Sequence, residues 1–227
     1  MPCTSRQLMD LYRAMRDRFG PRHWWPTSDS VSAADHPLEI CIGAILTQNT
    51  NWRNVEKAIA NLVAAACVSL SALHTKRPEA LARLIRPAGY FNVKTKRLKS
   101  FVAHVRQYCG DDIRAFWDRP VDVLRKDLLS IHGVGPETAD SIILYAAGKP
   151  SFVVDAYTRR ILSRHGLIDP DASYETVRTM FETLLPRDAA LWNDYHAQLV
   201  AVGKDFCRPT PRCQDCPLDH FPHAAST

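Results

Sequence analysis

LLSIHGVGPETADSIILYAAGKPSFVVD, running from Leu128 to Asp155, is the stretch on which the reading of this chain turns. An apolar helical run ends at Ile131. His132-Gly133-Val134-Gly135 then makes a hairpin, and a second helix opens at Pro136. Apolar residues recur at Ala139, Ile142, Ile143 and Ala146, the spacing of one helix face. Pro136 suits a first helical turn, where its missing N–H costs nothing. Gly133 and Gly135 permit a tight turn whose backbone N–H groups point outward at the start of the helix. Such a turn holds a phosphate through N–H groups and the helix dipole, without reading sequence. Asp155 stands alone after the apolar Phe152-Val153-Val154. By itself it reads as a helix cap or a solvated charge, and Gly-Val-Gly by itself as a common turn.

Two segments on the N-terminal side extend the pattern. GAILTQNTNWRNVEKAI, Gly43 to Ile59, is a buried helix with a polar end, Gln48-Asn49-Thr50-Asn51, before Trp52 starts the next helix. Asn51 fits an N-cap there. His23-Trp24-Trp25-Pro26 places adjacent tryptophans before a proline, and Trp25 reads best as a core anchor. A third segment, Arg86-Pro87-Ala88-Gly89-Tyr90-Phe91-Asn92-Val93-Lys94-Thr95-Lys96-Arg97, leads into a helix. Lys94, Lys96, Arg97 and Lys99 either track phosphates or form a solvated face.

In this order and at these separations, hairpin, second helix and Val-Asp resemble the helix-hairpin-helix DNA glycosylase superfamily, the relatives of endonuclease III. The Trp-Trp-Pro segment, Trp52 and the stretch from Arg86 to Arg97 are similar to its bacterial 3-methyladenine DNA glycosylase III branch. The resemblance covers about residues 20 to 206. It implies an enzyme that extrudes a damaged base from double-stranded DNA, with Asp155 as the catalytic carboxylate. Gln48 and Asn49 would help fill the gap left in the duplex, and Gly133, Val134 and Gly135 would hold the backbone. The base pocket would draw on Trp24, Trp25, Pro26, Trp52, Glu137 and Lys204, with Trp24 and Trp52 sandwiching the base. Aromatic faces attract the delocalised positive charge of an alkylated purine, whose glycosidic bond is already weak.

Glu137 decides the reaction class. Members of the superfamily that also cleave the strand carry a lysine at this position, which forms an imine with the sugar. A carboxylate cannot, so the expected activity is base removal without lyase cleavage. Lys149 and Lys204 lack the motif position. Lys204 either approaches the base pocket or serves as a phosphate contact or helix-end cation. The competing readings are an endonuclease III-like glycosylase/lyase on oxidised pyrimidines, which Glu137 opposes, and a non-enzymatic DNA-binding protein, which Asp155 and the aromatic pair oppose.

The C-terminus carries Cys207-(x5)-Cys213-(x2)-Cys216. Three cysteines so close together in a reducing compartment point to a metal centre. The spacing is similar to the [4Fe–4S] loop of endonuclease III relatives, except that the expected fourth cysteine falls at about Pro222, flanked by His220 and His223. Either histidine is a candidate ligand. A three-ligated cluster, zinc on three Cys and one His, or a loop that has lost its metal are the alternatives. Cys3, Cys41, Cys67 and Cys109 show no ligand spacing and read as buried thiols.

Composition sets the frame. The chain has 227 residues, a net charge of +5 and seven cysteines, with a pI near 8.9. This mild basicity is compatible with a nucleic-acid partner. No apolar run of about 18 residues predicts a membrane span, and the amphipathic N-terminus lacks the apolar core of a signal peptide. A cytoplasmic monomer associating with the nucleoid through DNA is therefore expected. Helices are predicted at about Ser5–Phe19, Pro37–Gln48, Trp52–Ala65, Glu79–Ile85, Lys94–Tyr108, Val121–Ile131, Pro136–Ala147, Ala156–Arg164, Tyr174–Leu185 and Ala189–Phe206. The expected architecture is all-α and two-lobed. A central helical barrel spans roughly 31–150, and a second lobe joins 1–30 to 151–227 with the metal-cluster loop. A cleft between the lobes, with Asp155 at its lip, is expected to receive the base.

Overall fold

The computed structural model describes residues 3–224 and is helical throughout, with no strand among the described residues. Among the described residues twelve α-helices follow one another: α1 Ser5–Phe19, α2 His36–Leu46, α3 Trp52–Ala64, α4 Leu70–Thr75, α5 Pro78–Leu84, α6 Phe91–Cys109, α7 Ile113–Trp117, α8 Val121–Ser130, α9 Pro136–Ser141, α10 Ala156–Arg164, α11 Tyr174–Leu184 and α12 Ala189–Asp205. A 3₁₀ turn, Arg86–Ala88, precedes α6, and a π-helical turn, Ile142–Ala146, prolongs α9. None of the described helices is long and apolar enough to cross a membrane.

Local chemistry explains most boundaries. Thr4 and Gln7 form a reciprocal capping box at the start of α1. Asn51, Ser69, Asp155, Ser173 and Asp188 each cap the helix that follows through a side-chain oxygen. Pro78 and Pro136 occupy first turns. The long helix α6 starts three residues before its predicted position. Its cap is Tyr90, whose backbone is left-handed (φ 44°) and makes no side-chain cap bond, so no start signal exists to be read. The short helices α4 and α7 lie outside the prediction. Six and five residues are too few to show a helical period. They nonetheless contribute Leu70, Leu73, Ile113, Phe116 and Trp117 to the core.

The chain divides into two units, Trp25–Lys149 and Met1–Trp24 with Pro150–Thr227. The division therefore falls at Trp24/Trp25, whereas the sequence places it at 30/31. Residues 1–2 and 225–227 of the second unit lie outside the described part. Trp25 and Ser28 belong to the central unit because they bind α2. The Trp25 indole lies on Gly43, where an added Cβ would come within 3.0 Å of the ring, and the Ser28 N–H donates to Glu39 at 2.9 Å.

In the central unit α2 is buried on every side from Leu38 to Leu46 and packs against α3, α6, α9 and the π-turn. A helix apolar all round belongs at the centre of a bundle. Its one acid, Glu39, is 2% exposed, and burial raises its pKa. The terminal unit is built on aromatic packing. Phe152 stacks on Phe181 with centroids 3.8 Å apart, Tyr12 stacks on Tyr195 at 5.3 Å, and the Tyr195 hydroxyl donates to the Leu8 carbonyl at 2.8 Å. Helix α12 there packs against both α10 and α1.

Candidate functional site

The hairpin of the central unit is a braced turn. Gly133 adopts φ 85°, and a Cβ there would meet the Arg97 side chain at 2.2 Å, so only glycine fits. Gln48 donates to the Gly133 carbonyl at 3.0 Å and to the Thr138 hydroxyl at 2.9 Å, and its own oxygen accepts from Arg97. Asp140, fully buried, receives Arg125 through two hydrogen bonds of 2.8 and 3.1 Å, clamping α9 to α8. Gly135, Pro136 and Glu137 are left at the surface.

This geometry corrects several expectations. Val134 is 6% exposed and its N–H bonds the Ile131 carbonyl, so it pegs the hairpin and offers no donor to a phosphate. Lys94 is 1% exposed, with its ammonium donating to the Leu46 and Ala88 carbonyls at 2.8 Å each. It is a buried strut between the end of α2 and the 3₁₀ turn. Burial and the neighbouring Arg97 guanidinium lower its pKa to about 8. Lys99 is committed to the carbonyls of Leu73, His74 and Lys76 at the end of α4. Of the predicted basic run, Lys96 keeps an exposed side chain. Gln48 spends its amide on the hairpin, whereas Asn49, exposed and left-handed (φ 52°), stands out at the turn.

The same unit holds an aromatic group. Trp25 meets Trp52 edge to face at 5.2 Å and Tyr145 at 5.3 Å. Both tryptophans are half-buried against the core, and Pro26 is exposed. Tyr145 comes from the π-turn, a widening of the kind often found at functional sites. Tyr90 is another aromatic beyond the predicted set, 71% exposed at the start of α6.

In the terminal unit Asp155 caps α10. Its Oδ1 accepts from the Thr158 N–H at 2.7 Å and from the Thr158 hydroxyl at 2.9 Å. Its Oδ2 lies 3.6 Å from Nε2 of His196 on α12. Burial raises the Asp155 pKa, but His196 and the Thr158 hydrogen bonds outweigh it and hold the carboxyl below its usual range. The capping reading of Asp155 is thus correct and leaves Oδ2 outside the cap. His196 escapes the sequence reading, because one histidine in a mostly buried helix carries no local signature. Farther along α12, the exposed Lys204 ammonium sits 5.5 Å above the Trp24 ring.

The cysteine loop follows α12 and is fastened to α10. Arg160 donates to the Cys207 carbonyl at 2.6 Å. Arg164 donates to Cys207 Sγ at 3.2 Å and to the carbonyls of Arg208 and Pro209. A small cavity of about 30 Å³ is lined by Cys207, Cys213, Cys216, Asp219 and His223 beside these arginine-held turns. The ligand atoms of Cys213, Asp219 and His223 lie within 4.8 Å of one another. His220 is exposed and lines a different pocket, beside Asp10, Arg13 and Asp17 of α1.

A family model for "HhH-GPD superfamily base excision DNA repair protein" matches residues 42–187, which contain the braced hairpin and Asp155. The chain belongs to the HhH-GPD superfamily. It is 43% identical over 212 residues to a Methanocaldococcus jannaschii protein provisionally named a DNA repair glycosylase, covering 93% of each chain. The fold is similar to an endonuclease III in a non-covalent DNA complex, with a TM-score of 0.78, 22% identity and coverage of 98% of this chain and 96% of that one. It is also similar to an H. pylori 3-methyladenine DNA glycosylase bound to an ethenoadenine, with a TM-score of 0.73, 26% identity and coverage of 88% and 96%. The helix-hairpin-helix glycosylase fold expected from the sequence is therefore present in this chain, and within this HhH-GPD protein Glu137 sits one residue into α9, exposed.

Proposed function

We propose that this DNA repair glycosylase removes alkylated purines, 3-methyladenine foremost, by hydrolysing the glycosidic bond, and leaves the abasic strand uncut. The observation that carries the reading is Asp155, a largely buried carboxylate held ionised by His196 and Thr158. A fixed negative charge of this kind offsets the positive charge that develops on the sugar as the bond to the base breaks. The electron pair of that bond leaves with the base, which an alkyl group has already made cationic. Water supplies the new bond to the sugar. Glu137, in place of an amine, cannot form an imine with the sugar, which supports base release without strand cleavage.

The aromatic group supports the substrate class. Trp52, backed by Trp25, offers a ring to a cationic purine. Trp24 already carries the Lys204 ammonium over its ring, which disfavours a second cation on that face, so Trp52 is the stronger stacking residue. Duplex DNA is the partner, met through Gly135, Asn49 and Lys96, all exposed. The likeness to an H. pylori 3-methyladenine glycosylase supports the same choice.

The cysteine loop fits an iron–sulfur cluster. Cys207, Cys213 and Cys216 line one cavity and supply the thiolate donors that such a cluster takes. A [4Fe–4S] cluster, when bound, supplies iron–thiolate bonds that order the loop.

Duplexes each carrying a single lesion test the reading, assayed with and without alkali. Release of alkylated purines, with nicks appearing only after alkali, is the expected result. Direct nicking at oxidised pyrimidines, or no release from any lesion, contradicts it. Trp52→Ala should weaken excision of 3-methyladenine by about 1–3 kcal/mol of stacking while sparing affinity for an abasic analogue, which has no base to stack. Equal losses on both ligands would remove Trp52 from the pocket.

A further inference from the structure

We propose that His223 is the fourth ligand of the cluster, so that this loop holds iron through three thiolates and one imidazole. The inference rests on the cluster reading above and adds the identity of the ligand that stands where a fourth cysteine is missing. Three observations carry it. First, His223 lines the same cavity as Cys207, Cys213 and Cys216, and its ligand nitrogen lies within 4.8 Å of the Cys213 sulfur; His220 faces a separate pocket. Second, its tautomer suits ligation. Nδ1 lies 2.9 Å from the Phe221 carbonyl, an oxygen that only accepts. In the neutral ring this contact places the proton on Nδ1 and leaves the lone pair on Nε2, the nitrogen a metal would take. A hydrogen bond of this type orients metal-bound histidines in general.

Third, the backbone on both sides of His223 is anchored to the end of α10. The Pro222 carbonyl meets His165 Nδ1 at 3.0 Å, the Ala224 N–H donates to the Arg164 carbonyl at 2.8 Å, and the His165 and His223 rings lie 5.3 Å apart. Arg164 therefore fixes this turn through its carbonyl while its guanidinium donates to the Cys207 sulfur. The imidazole is held in place by protein contacts alone. Asp219, 3.6 Å from His223 Nε2, is the competing ligand. It is half exposed, and iron–sulfur clusters take thiolate and imidazole ligands.

The full chain, purified without oxygen, provides the test through iron content and nitrogen hyperfine coupling in the cluster's paramagnetic state. Wild type should carry about four irons per chain and show coupling to an imidazole nitrogen. His223→Ala should lose at least one iron per chain, and any cluster that remains should lose the coupling. His223→Cys should keep its iron and still lose the coupling, a result that a merely structural histidine would not give. His220→Ala and Asp219→Asn should match wild type. Nitrogen coupling that survives in His223→Cys, or iron lost through His220→Ala or Asp219→Asn in its place, overturns the assignment. Wild-type protein free of iron overturns the cluster reading itself, and this inference with it.

Discussion

At the residue scale, the decisive side chains are those whose charge is fixed by a few named neighbours. Asp155 spends one oxygen on capping α10 and turns the other to His196. Its lowered pKa means that it stays ionised into acid and that its contribution to stability is lost only as pH falls through the folded value. His196→Ala removes the strongest influence that lowers this pKa and leaves burial to raise it. The acid limb of the excision rate should therefore move to higher pH in that variant, and an unchanged limb would show that His196 does not tune Asp155. Lys94 is the converse case. Its folded pKa of about 8 lies below the unfolded value of about 10.4. The unfolded chain binds more protons between these values, so the contribution of Lys94 to stability rises with pH across that window. Lys94→Met should destabilise the protein by roughly 1–3 kcal/mol by stranding the Leu46 and Ala88 carbonyls. Urea unfolding should show that deficit widening from pH 7 to pH 9.5. A constant or shrinking deficit would contradict the buried, proton-releasing amine.

At the scale of elements, the hairpin joining α8 to α9 depends on contacts the local sequence does not announce. The turn itself is legible: Gly133, Gly135 and Pro136 each have a local conformational reason to be there. The brace is not, because Gln48, in the turn after α2, and Arg97, in α6, both lie far from Gly133 along the chain. The clamp between Arg125 and Asp140 is likewise invisible in a pattern of apolar residues. Asp140→Ala should cost about 3–5 kcal/mol, since it removes a fully buried carboxylate that accepts two hydrogen bonds from the largely buried Arg125 guanidinium. A loss under about 1 kcal/mol in denaturant unfolding would show that the clamp is ornamental. Similar reasoning explains the other differences. The run Lys94, Lys96, Arg97 and Lys99 looks like a solvated or phosphate-tracking face, because carbonyl capture is a tertiary event. Helices α4 and α7 are too short to display a period, and α6 begins at a left-handed tyrosine with no capping side chain. The choice of His223 over His220 likewise depends on which of two neighbouring residues turns into the cavity.

At the scale of the whole molecule, the proposed activity draws on groups from two helical units. The central unit holds the hairpin, the exposed Asn49 and the Trp25–Trp52–Tyr145 group. The terminal unit holds Asp155, His196 and the cysteine loop tied to α10. The order of motifs along the chain was enough to indicate the superfamily, because each motif serves a local need: a turn, a cap, a helix start. The chemistry attributed to the pair of units depends on Asp155 as a charge and on Glu137 as an amine's absence. Single-turnover release of free 3-methyladenine from methylated duplex DNA, by wild type and by Asp155→Asn, tests this most directly, with strand integrity scored before and after alkali. The account predicts release by wild type with an intact strand until alkali is added, and a rate lower by on the order of 10²–10³ in Asp155→Asn with DNA affinity retained. Release by Asp155→Asn within a few-fold of wild type, or strand cleavage before alkali, would contradict it.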